Sequence, residues 1–207
     1  MAAISAYPYL SCKGEQWTPR MVWGVEDIVM CAGKEDMFNF LEDIVREIVP
    51  LFPGKYFHIG GDECPKTSWK HCPTCQKRIE AEGLQADGKH SAEERLQSYV
   101  IKRMEKMLAK YDRKIIGWDE ILEGGLSPDA TVMSWRGTSG GISAALQKHD
   151  VIMTPGSGGL YLDHYQGDYK IEPVTIPSAP AYLSRTYNYE PVPDTIKSLG
   201  LESSHSP

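Results

Sequence analysis

The chain has 207 residues, 41% hydrophobic and 24% charged, with a net charge of −6. That length allows one domain with a real core, and scattered Lys and Arg without a basic, aromatic-laced run argue against nucleic acid as a partner. No apolar stretch approaches the roughly 20 residues that span a bilayer, and the N-terminus lacks a basic region followed by an apolar one, so no signal peptide is expected.

The first clear element is "DMFNFLEDIVREIVPLF" (36–52), with Phe40, Leu41, Ile44, Val45, Ile48 and Val49 at helical spacing. Asp36 is its candidate start and Pro53–Gly54 its stop. "KYFHIGG" (55–61) reads as a short buried strand. Residues 64–90 are polar and cysteine-containing, a loop with a short helix around "CQKRIEAEGL". "SAEERLQSYVIKRMEKMLAKY" (91–111) is an amphipathic helix whose Ser91 and Glu94 have capping-box spacing and whose Leu96, Val100, Met104 and Met107 line one face. "RKIIGWDE" and "ATVMSWRG" follow as strands, "SGGISAALQKHD" as a helix and "VIMTPG" as a further strand. The rest is rich in proline and tyrosine and reads as loop. No tandem repeat or low-complexity linker interrupts the chain.

Strands separated by helices imply parallel βαβ units, in a doubly wound sheet or a (β/α)8 barrel. The barrel is favoured because successive strands end in polar or aromatic clusters: "GGDE" (60–63), "GWDE" (117–120) and "SWRG" (134–137), with "YLDHY" (161–165) after the next. Barrel active sites are built at the C-terminal ends of several strands. A whole barrel has eight strands and about 250 residues. The expected fold is therefore α/β, an incomplete (β/α)8 barrel of about four βα units in a single domain, 1–207.

The adjacent carboxylates Asp62 and Glu63 are the leading chemical feature. Strand alternation puts His58, Gly60 and Asp62 on one side, and the two glycines leave room for a ligand near the backbone. Neighbouring carboxylates raise the pKa of one of them, which suits a proton donor to a leaving group. A solvated acidic turn is the bland reading. A metal held by His58, Asp62 and Glu63 fits no familiar ligand spacing. Trp118 and Trp135 are pocket walls or simply core.

The five cysteines are Cys12, Cys31, Cys64, Cys72 and Cys75. "HCPTC" has the form of a zinc knuckle, and Cys64, Cys72 and Cys75 would suit structural zinc if a fourth donor joined them. A disulfide among them and reduced buried thiols are the alternatives, and Cys12 could pair with Cys31.

"HIGGDE", "GWDE", "SWRG" and "YLD", in that order, resemble glycoside hydrolase family 20, the β-N-acetylhexosaminidases. The similarity runs from about residue 1 to 195. It implies hydrolysis of terminal N-acetylhexosamine from glycans by a substrate-assisted retaining mechanism that needs no cofactor. By the resemblance Glu63 is the general acid/base, Asp62 holds the acetamido N–H and Tyr161 orients the acetamido oxygen. Trp118 and Trp135 wall the acetamido pocket, Asp163 binds a sugar hydroxyl, and His58 counts among the substrate-binding residues. The family's arginine clamp, its histidine-bearing loop and its tryptophan platform have no counterpart here. The expectation is roughly the second half of a catalytic barrel, with open sheet edges that a second copy or another chain would cover, or else a carbohydrate-binding fragment without turnover.

Overall fold

The structure, a computed structural model, describes residues 2–22, 24–158, 160, 165–173, 175 and 180–201. Two compact units emerge, Met1–Ile115 with Glu120–Asp129, and Ile116–Asp119 with Ala130–Pro207.

The first unit opens with α1 (Ala2–Ala6) and a 3-10 turn (Pro8–Leu10), followed by extended chain. Helix α2 spans Glu35–Ile48, with Glu35 and Asp36 in the first turn, where carboxylates complement the helix dipole. It stops short of the expected residue 52 because Pro50 has no N–H to continue the ladder. Its buried side is Met37, Phe38 and Val45, with Val49 just beyond, whereas Ile44 is exposed. Strand β1 is only Tyr56–His58, and both of those residues are exposed. The expectation of a buried strand over 55–61 is thus corrected. Gly60 and Gly61, at φ 73° and 94°, leave the β region and end it.

Residues 64–90 hold two helices rather than one, α3 (Thr67–Lys70) and α4 (Pro73–Ala81). Pro73 at the first position presets the φ of α4. Helix α5 (Ala92–Ala109) begins at the Ser91–Glu94 capping box read from the sequence. Its buried residues include Leu96, Ile101, Met107 and Leu108, and also the polar Gln97 and Ser98. One core cluster gathers Cys31, Ala32, Trp69, Cys72, Cys75, Ile79 and Leu96; a second gathers Met37, Phe38 and Met107. Arg103 closes the second, its guanidinium 3.9 Å from the Phe38 ring centroid and 3.0 Å from Glu35.

Strand β2 (Lys114–Trp118) enters this unit at its start, where Lys114 N–H donates to Lys55 C=O at 2.9 Å. In the second unit the end of β2 pairs parallel with β3 (Thr131–Ser134), and β3 pairs parallel with β4 (Val151–Met153). The sheet order is β1-β2-β3-β4. Helix α6 (Ser139–Leu146) packs on β3 and β4. A Cβ on its Gly141 would stand 2.6 Å from Met153 Sδ and 3.1 Å from Val151 Cγ1, so glycine sets that close approach. The C-terminal stretch expected as loop contains α7 (Leu183–Tyr187) and α8 (Asp194–Ser198), the latter burying Ile196. Among the described residues no helix is long and apolar enough to cross a membrane.

Candidate active site

In the first unit the site is the turn after β1. Asp62 and Glu63 are both exposed. Glu63 has φ 45°, a left-handed conformation that side chains other than glycine adopt at a cost. Of the other non-glycine residues with positive φ, Asp112 follows α5 and Lys148 follows α6, where such conformations commonly end helices. Glu63 ends no helix. In extended backbone, neighbouring side chains point to opposite faces, and the left-handed residue departs from that alternation.

Gly60 N–H donates to His58 Nδ1 at 3.0 Å. That ring nitrogen is therefore an acceptor, and the neutral ring carries its proton on Nε2. Desolvation lowers the His58 pKa, against the opposing pull of the Asp62 charge. Gly61 is fixed by sterics as well as by its φ, since a Cβ there would stand 2.5 Å from Ile121 Cγ2.

A partly buried polar node, centred on the buried Gln97, supports this turn. Gln97 donates from Nε2 to Glu120 C=O at 2.9 Å and, more weakly, to Gly61 C=O at 3.5 Å. Lys66 Nζ donates to Gln97 Oε1, to Cys64 C=O at 2.8 Å and to Glu123 Oε2 at 3.0 Å. None of Gln97, Lys66 and Glu123 was singled out from sequence. The available signal was a glutamine beside Leu96 within the apolar part of an amphipathic helix. The Cys64 thiol is pushed up mainly by burial.

In the second unit the site elements are the ends of β2 and β3. Trp118 and Trp135, both half-buried, meet edge to face with centroids 6.3 Å apart at 67°. Asp119, the third residue of "GWDE", is buried and accepts from Arg136 Nε at 3.1 Å and from Trp135 N–H at 3.4 Å. It thereby links the two tryptophan-bearing strand ends, a role that sequence reading missed. The space beside it is closed by Gly140, whose Cβ would lie 2.7 Å from Asp119 Cβ. Ser134 Oγ donates to Gly137 C=O at 2.7 Å and accepts from Gly141 N–H at 2.9 Å, pinning the "SWRG" turn to α6. Tyr161 and Asp163 lie outside the described residues.

The thiols are arranged differently from expectation. All five cysteines are free, so Cys12 and Cys31 form no disulfide. The sulfurs that converge are those of Cys12, Cys31, Cys72 and Cys75, a group that does not include Cys64.

Residues 1–206 match the catalytic domain of glycosyl hydrolase family 20. The chain belongs to this family, and its parallel strands and helices are part of the family's (β/α)8 barrel fold. It is 59% identical over 193 residues to a β-hexosaminidase of Porphyromonas gingivalis, a match covering 93% of this chain and 24% of the relative. A β-hexosaminidase of Vibrio furnissii is 32% identical, covering 92% of this chain and 30% of that protein. Among solved structures, the exo-β-N-acetylglucosaminidase of Vibrio harveyi in complex with N-acetylglucosamine superposes with a TM-score of 0.76 at 31% identity, over 92% of this chain and 29% of that one. The chain thus spans less than a third of the length of these relatives.

Proposed function

We propose that the chain carries the acid/base machinery of a β-N-acetylhexosaminidase that removes terminal GlcNAc or GalNAc from glycans with retention. The observation that carries this reading is the turn at Glu63, a left-handed non-glycine residue next to Asp62 and away from any helix end. Strained backbone of this kind concentrates at functional sites. Glu63 protonates the glycosidic oxygen while the substrate's acetamido oxygen closes on C1, giving an oxazolinium ion and releasing the aglycone. The Glu63 carboxylate then takes a proton from the water that attacks C1, which restores the acid. Asp62 accepts a hydrogen bond from the acetamido N–H and stabilises the positive charge that develops there. Trp118 and Trp135 wall the acetamido methyl, Tyr161 donates to the acetamido oxygen, Asp163 accepts from a sugar hydroxyl, and His58 lies beside the sugar. No step needs a metal, so a zinc ion, first expected at Cys64, Cys72 and Cys75, would be structural.

The family match running through both compact units supports reading 1–207 as part of a single catalytic domain. Leu51, Phe52 and Tyr56, at and just before β1, are exposed apolar side chains that suit cover by a second copy or another chain. Sedimentation at micromolar concentration tests that cover: a monodisperse monomer without dye-accessible apolar surface rules it out.

The test of function is nitrophenol release from the N-acetyl-β-D-glucosaminide by the purified chain, run beside Glu63→Gln. The expected result is turnover that falls by about 10²–10⁴-fold in the variant, the usual contribution of a general acid. Folded protein with no turnover from either form would refute catalysis by this chain and leave a carbohydrate-binding fragment.

A further inference from the structure

Four of the chain's five cysteines, drawn from three separate stretches, bring their sulfurs within 4.8 Å of one another. Sγ–Sγ distances are 3.8 Å for Cys12–Cys75, 3.7 Å for Cys31–Cys72 and 3.6 Å for Cys31–Cys75. A disulfide requires about 2.05 Å. A tetrahedral ion with Zn–S bonds of about 2.3 Å sets its sulfurs about 3.8 Å apart, since a tetrahedron's edge is about 1.63 times its centre-to-vertex distance. We propose that Cys12, Cys31, Cys72 and Cys75 are the four ligands of a structural zinc ion.

The local chain is built for this convergence. Ser11 and Met30 form an isolated antiparallel bridge, and Cys31 N–H donates to Leu10 C=O at 2.7 Å, which sets Cys12 beside Cys31. Cys72 caps α4, and Pro73 starts it, so Cys75 falls in the first turn on the same helix end. The positive end of the helix dipole there favours thiolates. Gly33 then lets the loop after Cys31 lie against the backbone of this turn: a Cβ on it would stand 2.3 Å from Thr74 O and 2.6 Å from Cys75 N. Trp69 Nε1–H donates to Met30 C=O at 2.8 Å and holds the same loop from the other helix. Cys31, Cys72 and Cys75 are buried, whereas Cys12 is partly exposed and lines a cavity of about 160 Å³ with Glu15, Glu26 and Asp27, a path by which an ion can enter.

On binding, four S–H bonds break, four Zn–S bonds form and four protons leave to solvent, so the loaded site carries charge −2. The ion cross-links the segment before α2 to the helix pair that follows the Asp62–Glu63 turn. It thereby stabilises the support of the acid/base residues without touching substrate.

The experiment is elemental analysis of the folded full chain, purified without chelator in the presence of zinc, together with cobalt substitution. The expected result is about one zinc per chain, with cobalt giving the charge-transfer and ligand-field bands of a tetrahedral thiolate site. Cys64→Ser retains full stoichiometry, and Cys31→Ser loses it. Should Cys31→Ser fail to fold, the cobalt spectrum of the parent together with zinc retention in Cys64→Ser decides. A folded parent without stoichiometric zinc, iron in its place, loss of zinc in Cys64→Ser, or sulfurs paired as disulfides after reducing isolation would overturn the assignment.

Discussion

The two glycines after β1 offer a test in which backbone strain and steric clash separate. Gly60→Ala places a side chain at φ 73°, and its Cβ meets only Asp62 Oδ1, at an ordinary 3.4 Å. Its cost is the left-handed strain alone, about 1–2 kcal/mol. Gly61→Ala carries the same strain at φ 94° and also drives its Cβ to 2.5 Å from Ile121 Cγ2. That methyl is attached to Cβ of a fully buried β-branched residue, so it cannot swing away without changing a stiff χ1. Overpacking adds about 1–3 kcal/mol, for a total of about 2–5 kcal/mol. Ile121→Ala removes the methyl and by itself costs about 2–5 kcal/mol. The double variant Gly61→Ala/Ile121→Ala should recover about 1–3 kcal/mol relative to the sum of the singles. Urea unfolding of the parent, both singles, the double and Gly60→Ala measures each term. Equal losses for Gly60→Ala and Gly61→Ala, with an additive double variant, would refute the steric reasoning.

Gln97→Leu keeps the side-chain size but removes the amide donor to Glu120 C=O and one of the three acceptors of Lys66, and should destabilise by about 1–3 kcal/mol in urea unfolding; an unchanged midpoint would show that the polar node is incidental. Because the folded-state pKa of His58 lies below its unfolded value, the unfolded chain binds more protons between the two. This residue's contribution is therefore complete above the unfolded value of about 6.5 and is lost as pH falls toward the folded one. Unfolding free energies followed from pH 8 to pH 5 should decline on the acid side, and the His58→Gln variant should decline less; identical profiles would contradict it.

Where local rules decide, the sequence was readable. The Ser91–Glu94 box starts α5 as its spacing required, and the strand–helix alternation led to parallel pairing of β2, β3 and β4. The clusters at the strand ends drew attention to Asp62, Glu63, Trp118 and Trp135 without revealing what holds them. Gln97 and Lys66 act across long sequence separations, and Asp119 is buried by Gly140 of a helix that follows the next strand. No periodicity encodes such contacts. The thiols divide in the same way. Cys72 and Cys75 were legible together because a helix start places them together, whereas Cys12 and Cys31 join them through a bridge between Ser11 and Met30 that only the folded chain displays. Cys64 is near Cys72 and Cys75 in sequence but not a member of the converging group, because nearness in sequence is a poor guide to nearness in space.

The turn at Glu63 illustrates how an unfavourable conformation is retained. A left-handed glutamate costs about 1–2 kcal/mol relative to extended or helical backbone. Stability alone would place glycine or asparagine there. Such strain persists only where the surroundings over-determine it. Gly61 C=O and Cys64 C=O lie on either side of the Asp62–Glu63 pair, and both are held by one node, the first by Gln97 and the second by Lys66, which are themselves hydrogen-bonded. Glu123 balances the charge of Lys66, and Glu120 C=O takes the remaining amide proton that Gln97 offers. The carboxylates are thus bracketed by fixed carbonyls while their own side chains stay exposed to solvent. A node of this kind stabilises only when each member is satisfied, because an unpaired buried donor or acceptor costs more than the pair contributes. Loss of Gln97 should therefore disturb Glu63 more than its distance in sequence suggests: the glutamate would be free to relax out of the left-handed region, and turnover should fall further than stability.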